Sequence, residues 1–238
     1  MEQSKTTAII VAAGSGKRMA SDIPKQYLLL EGKPILYYTL KAFENSSVSD
    51  IVLVVGKNDI DYCRHEIVEK YGIQKIKSIV EGGKERYHSS YHGLMEAMGA
   101  EYVLIHDGAR PFITREIIDI TIQEVMAHKA CIVGVPAKDT IKLVNEHGFV
   151  YNTPNRDTVW AVQTPQAFSY NLILAAYTKL LSLPEASILN ITDDAMVVEH
   201  MMNHPVKLVM GSYRNIKITT PEDLVIGSSF LEEKNDDK

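Results

Sequence analysis

The stretch IIVAAGSGKRMASDIPKQY, from Ile9 to Tyr27, sets an apolar run against two glycines, Gly14 and Gly16, and three cations, Lys17, Arg18 and Lys25. A glycine-rich turn straight after a buried strand presents bare backbone N–H groups, a natural seat for phosphate. Neither familiar phosphate loop fits. The Walker loop requires G-x-x-x-x-G-K-[ST], but Val11 stands at its first glycine and Arg18 at its hydroxyl. The dinucleotide loop requires G-x-G-x-x-G, and its third glycine is Met19 here. Cations inside and after the loop suit a triphosphate that reacts, because charge builds on its oxygens as the leaving group departs. The loop alone therefore points to phosphoryl or nucleotidyl transfer; the competing reading is a solvated turn with ordinary surface lysines.

Other chemistry-bearing patterns are thin. Cys63 and Cys131 are the two cysteines, with no CxxC and no zinc spacing, and read as inert buried thiols in a reducing compartment. His88 with His92, and His200 with His204, stand at helical i,i+4 spacing but lack the glutamate of H-E-x-x-H, so they read as partly exposed helix positions. Trp160, the single tryptophan, reads as packing rather than as a stacking platform. A net charge of −5 over 238 residues disfavours a nucleic-acid face, so phosphate chemistry must rest on a local cationic cluster. The composition, 45% hydrophobic and 23% charged, is that of a globular chain able to bury a full core. The apolar run Ala8 to Ala13 is too short for a signal peptide, and nothing approaches the roughly 18 apolar residues of a membrane span, so a cytoplasmic location is expected.

Positioning these residues falls to alternating strands and helices. Strands are expected at 7–13, 50–56, 78–80, 102–107 and 131–136, as short continuous apolar runs. Helices are expected from Pro34, with Ile35, Leu36, Leu40 and Phe43 on one side; around Tyr87, Tyr91, Leu94, Met95 and Met98; and from Arg115 to His128. Apolar strands separated by helices imply a doubly wound, mostly parallel α/β sheet of Rossmann-like type, covered on both faces. Ligands bind such sheets outside the carboxyl ends of the strands, which is where the Gly14 loop and Asp107 fall. After Pro136 the pattern breaks. Strand-like pieces around the turn His147-Gly148 read as a β-arm at about 137–160, the kind of projection that pairs with a second subunit. Helices near 169–181 and 193–202, a strand near 206–209 and a helix from Pro221 complete one domain over 1–238, with only the tail EEKNDDK expected to be disordered.

AAGSGKRM, PKQY, EGGKERYHSS, HDGARPF, DTIK, WAVQTPQAF, TDDA and NIKITTPEDL follow one another from about Thr7 to Leu231. In that order they resemble the 2-C-methyl-D-erythritol 4-phosphate cytidylyltransferases of isoprenoid synthesis, a family with the fold of nucleotide-diphospho-sugar transferases. The resemblance implies that Arg18 and Lys25 grip the triphosphate of CTP and that Asp107 binds Mg²⁺ bridging its phosphates. It implies that Lys217 steadies the attacking phosphate and that Arg110 helps hold the sugar phosphate. The turn of Ala12, Ala13, Gly14 and Gly16, with Gly83 and the Ser89 hydroxyl, would bind the nucleotide; Ser89 also suits a plain helix-starting role. Thr164 would line the acceptor side. Thr192 would either approach the acceptor or cap a helix whose dipole Asp193 and Asp194 favour. Thr140 and Arg156 on the arm would reach a neighbouring subunit's site, which implies a homodimer.

The implied reaction needs no strong base, since the attacking phosphate monoester is already ionised at neutral pH. That agrees with the want of any Ser-His-Asp or Cys-His constellation. Two positions depart from the family on the acceptor side. Arg214 stands before NIK where an acidic residue is usual, and Met196 follows TDDA where a small polar one is. The alternatives are the related ribitol-5-phosphate cytidylyltransferases, whose first loop more often reads Ala-Gly-Gly; a dinucleotide-dependent oxidoreductase; and a silent nucleotide sensor.

Overall fold

The computed structural model describes residues 4–14, 16, 19, 23–184 and 191–236, the last four by backbone alone. Arg18 and Lys17 lie outside the described residues. Among the described residues, seven strands form one sheet. Its centre is β1 (Thr6–Ala12), parallel to β4 (Asp50–Val55) on one side and to β6 (Tyr102–Asp107) on the other. Beyond β4 lies β5 (Ile76–Glu81), also parallel. Beyond β6 comes β10 (Trp160–Ser169), antiparallel to both β6 and β7 (Ala130–Pro136), and β11 (Lys207–Met210) completes the edge parallel to β7. A small ladder of β2 (Leu29–Leu30) and β3 (Lys33–Pro34) stands apart. The mostly parallel, doubly wound fold is thus present.

Period-two alternation sorts the core into two layers. Ile10 and Ala12 face the same layer as Ile51, Leu53 and Val55, against α1 (Ile35–Glu44), the π-helical stretch Cys63–Glu69 that follows α2 (Ile60–Tyr62), and α4 (Arg115–His128). Ile9, Val52 and Val54 face the other, against α3 (Arg86–Glu96), α5 (Tyr170–Leu181) and α6 (Asp194–Met202). Cys63 and Cys131 are fully buried, and burial pushes their thiols up to about 11 and about 12, so both are inert as expected.

Several expectations shift. Pro34 is the residue before α1 rather than within its first turn. Met95 and Met98 are exposed; the buried side of α3 is Ser89, Ser90, Gly93 and Leu94, because the sheet lies so close that only small residues fit beneath it. A methyl group at Gly93 would come within 2.3 Å of Ile9 Cγ2. The helix over residues 60–69 has no counterpart in the sequence reading. Trp160 belongs to β10, opposite Pro136, so the sheet resumes one residue inside the expected arm. The arm itself carries β8 (Leu143–Val144) and β9 (Val150–Asn152) as an antiparallel pair across the predicted turn. The final helix, α7 (Pro221–Asp236), runs through most of the segment expected to be disordered, whose Glu and Lys are good helix formers. Among the described residues no helix is long and apolar enough to cross a membrane.

Candidate active site

The chain leaves β1 toward β4 and β5, then returns on the other side of β1 at β6. Between β1 and β6 the connections diverge and leave a crevice at the carboxyl ends of the strands. Asp107, last residue of β6, pairs in register with Val11. A cleft of about 360 Å³ opens there, lined by Ala12, Ala13, Gly14 and Lys25, by Gly83, Lys84, Arg86 and Ser89, and by Asp107 and Lys217. Residues from four distant segments of the chain therefore meet in one place.

Each segment is pinned by side chains that leave the functional ones facing the cleft. In PKQY, Gln26 is buried and donates from Nε2 to the Ala12 carbonyl at 2.6 Å, while the Tyr27 hydroxyl donates to Asp59 at 3.0 Å. These bonds fix the single helical turn Lys25–Tyr27 against the end of β1 and set Lys25 on the cleft wall. Gly16 has φ +66, and a methyl group there would sit 3.0 Å from Lys25 Cβ, so glycine is needed both for the turn and for the lysine's approach. At the second wall the Ser89 hydroxyl accepts from the Gly83 N–H at 3.1 Å and donates to the Glu85 carbonyl at 3.3 Å. Ser89 thus folds the loop before α3 as well as lining the cleft.

Asp107 is the electrostatic centre. Its Oδ2 lies 2.9 Å from Lys217 Nζ and 3.4 Å from Arg110 Nε, and its Oδ1 lies 3.3 Å from Arg86 Nε. Burial alone would raise its pKa; Arg86, then Lys217, then Arg110 more than offset this and hold the carboxyl well below the usual carboxylate range. Asp107 is an anion throughout the physiological range. Arg110 turns its Nη1 back to the Asn215 carbonyl at 2.8 Å and is largely buried, whereas Lys217 is about one-third exposed on the cleft.

Three side chains of QTPQ anchor three pieces of this site. Gln163 bonds the Ser212 carbonyl at 2.8 Å and accepts from Asn215 Nδ2 at 3.1 Å, which fixes the loop that delivers Lys217. Gln166 Oε1 accepts the N–H groups of Asp194 and Ala195 at 3.0 and 2.9 Å and so holds the start of α6. Thr164 sits behind Asp107. The Asp107 N–H donates to Thr164 Oγ1 at 3.1 Å, the Thr164 hydroxyl donates to His106 Nδ1 at 3.0 Å, and His106 Nε2–H donates to the Arg110 carbonyl at 3.4 Å. The Arg110 carbonyl can only accept, which places a proton on Nε2, and the Thr164 direction is that of a neutral imidazole. Burial agrees, pushing His106 down to about 3.

The structure thus brings together Lys25, Lys217, Asp107, Ala12, Ala13, Gly14, Gly83 and Ser89 on one cleft, with Arg110 and Thr164 immediately behind Asp107. Thr140, Arg156 and Thr192 do not line it; all three are exposed, the first two on the arm. The helix cap expected at Thr192 is Asp193, whose side chain accepts from the Met196 N–H at 2.9 Å. Asp194 does more than favour the helix dipole: it is fully buried, 2.7 Å from Arg86 Nη1, and it accepts from the Tyr177 hydroxyl. Arg86 and Lys84 line the cleft without having been assigned a role from the sequence. Arg214 turns onto the ring of Phe230, 4.7 Å from its centroid, and does not line the cleft. Among the described residues no group of three or more His, Cys, Asp or Glu could hold a metal by itself.

A family model described as 2-C-methyl-D-erythritol 4-phosphate cytidylyltransferase matches residues 6–233. Curated proteins of that name are similar over almost the whole length: one from Lachnoclostridium phytofermentans is 52% identical over 232 residues, covering 98% of each chain. Another, from Alkaliphilus oremlandii, is 49% identical over 235 residues, again covering 98% of each. Among solved structures, the 4-diphosphocytidyl-2C-methyl-D-erythritol synthase of Anaerococcus prevotii superposes with a TM-score of 0.84 at 39% identity, covering 96% of both chains. The 2-C-methyl-D-erythritol 4-phosphate cytidylyltransferase of Francisella tularensis gives 0.76 at 31% identity, covering 95% of this chain and 99% of its own.

Proposed function

Since this chain belongs to the 2-C-methyl-D-erythritol 4-phosphate cytidylyltransferase family, whose reaction is CTP-dependent cytidylyl transfer in isoprenoid precursor synthesis, we infer that the cleft around Asp107 is where it performs that transfer. The carrying observation is an ionised carboxylate at the end of β6, ringed by three cations and facing a glycine turn. An acceptor phosphate oxygen attacks the α-phosphorus of CTP, the bond to the β-phosphate oxygen breaks, and pyrophosphate leaves.

In this reading the backbone of Ala12 to Gly14, with Gly83 and Ser89, holds the nucleotide, while Lys25 and Arg18 hold its triphosphate. Lys217, the nearest to Asp107 and the least buried of the three cations, meets the attacking phosphate. Arg110 and Thr164 keep Asp107 in place from behind. The residues fit a divalent cation: a carboxylate offers about four lone-pair sites, and Asp107 has three cationic contacts. With no closed ligand set among the described residues, the fit is to a Mg²⁺ that arrives with the triphosphate and takes one protein carboxylate. Such an ion would neutralise charge on the phosphate oxygens as pyrophosphate departs. No general base is needed for an acceptor already ionised.

The arm supports a homodimer. Phe149 and Tyr151 are 72% and 67% exposed there, too much aromatic surface for a solvated projection. Thr140 and Arg156 stand on the same arm, away from their own cleft, and are assigned to the partner's acceptor side; Thr192 remains assigned to the acceptor near α6. The water-soluble reactants suit a cytoplasmic location.

The choice of acceptor is tested by pyrophosphate release with CTP and Mg²⁺, offering methylerythritol 4-phosphate and ribitol 5-phosphate in parallel. A kcat/KM at least ~100-fold higher for the first is expected, in line with discrimination by a site that bonds substrate hydroxyls. Equal or reversed preference would move the protein to the ribitol phosphate reaction and make Arg214 the mark of a different acceptor pocket.

A further inference from the structure

We propose that Arg86 is a positioning residue for the transfer reaction, a strut that fixes the direction of the Asp107 carboxylate by tying it to the buried Asp194. The proposal rests on the reading of Asp107 given above. Arg86 is the first residue of α3, where a cation opposes the helix dipole, so it does not serve that helix. Its guanidinium spans two carboxylates, with Nη1 2.7 Å from Asp194 Oδ2 and Nε 3.3 Å from Asp107 Oδ1.

The far end of the strut is rigid. Asp194 has no exposed side-chain surface; the Tyr177 hydroxyl donates to its Oδ1, and its backbone N–H is held by Gln166. The near end is the part that matters for chemistry. Arg110 and Lys217 both contact Oδ2, and Arg86 contacts Oδ1. Lys217 faces the cleft and is drawn off when a substrate phosphate arrives. Arg110 is committed to the Asn215 carbonyl. Arg86 then sets how the carboxylate is turned. Because it follows directly after Gly83, Lys84 and Glu85, it also couples the nucleotide wall of the cleft to the start of α6. A lysine would keep the charge but not the planar two-ended reach.

The test compares Arg86→Lys, Asp107→Asn and the double variant in the full chain, with folding followed by thermal unfolding. Steady-state kinetics and Mn²⁺ binding in the presence of CTP, read by electron paramagnetic resonance, are the readouts. Arg86→Lys is expected to keep a cooperative transition, lose kcat by ~10-fold or more with KM for CTP within ~3-fold, and bind Mn²⁺ several-fold more weakly. The double variant is expected to lose no more than Asp107→Asn alone, because the two residues act as a unit. Unchanged kcat and Mn²⁺ binding in Arg86→Lys, beside an impaired Asp107→Asn, would overturn the strut and leave the reading of Asp107 standing. So would losses that simply multiply in the double variant. Unimpaired Asp107→Asn would remove the reading of Asp107, and the strut with it. Should Arg86→Lys fail to fold, Asp194→Asn keeps the size of the anchor and weakens its hold; a several-fold kcat loss supports the strut, and unchanged kcat overturns it.

Discussion

Asp107→Asn is expected to lower kcat by about 10²–10³, the usual cost of removing one preorganised charge from a transition state. The same change should leave CTP binding in the absence of metal at least as tight as before. The reason is the ring of cations: without the carboxylate, Arg86, Arg110 and Lys217 present one more unit of positive charge to the triphosphate. A Mg²⁺ titration of activity should shift to higher concentration. Because three cations lose a buried partner, the variant should also unfold at lower temperature, so kinetics must be measured well below that transition. A normal kcat with an unchanged Mg²⁺ titration would remove Asp107 from the chemistry and leave it a structural counter-charge.

The second large effect concerns the arm. Lys217→Ala and Arg156→Ala are each expected to reduce turnover by at least ten-fold, an order-of-magnitude expectation for lost phosphate clamps. Mixing the two after dissociation and re-association should then restore about one quarter of the original activity. Random pairing makes about half the dimers mixed, and each mixed dimer holds one whole site, with Lys217 from one subunit and Arg156 from the other. Recovery near that value would place Arg156 in the partner's cleft. Mixed dimers that form without recovery would show that Arg156 acts within its own chain or that both sites must be whole.

Much of the fold is legible in the sequence for a plain physical reason. Central parallel strands are buried on both faces, so TAIIVA, DIVLVV and YVLIHD appear as continuous apolar runs that end at the cleft. The pattern alone puts the glycine turn and Asp107 at those ends. β10 was harder. It runs through WAVQTPQAFS, with two buried glutamines and a proline, and reads as neither an apolar run nor an alternating one. Pro165 is tolerated because it lies where the ladder with β7 shifts register, between Val162 and Gln166. The glutamines are buried because each is bonded to a distant loop.

Within the site, residues carried by local turns were readable and those that work through long-range pairing were not. Lys25 follows a glycine turn and is followed by two anchoring side chains. Arg86 lies in a quoted string, EGGKERYHSS, yet its anchor Asp194 is 108 residues away in sequence. One local clue was present: an arginine at the first position of a helix runs against the dipole and calls for an anion from elsewhere. Thr192 and Asp193 could not be told apart as caps, since both residue types cap well and the choice is made by where α6 meets Gln166.

A crystal structure of the chain with CTP and Mn²⁺, read by anomalous scattering, tests the central assignment most directly. The expected result is an anomalous peak within coordination distance of the Asp107 carboxylate, with the triphosphate along Ala12 to Gly14 and its oxygens met by Lys25. A peak away from Asp107, or a triphosphate seated in the separate groove lined by Lys33, Lys41 and Arg214, would contradict it.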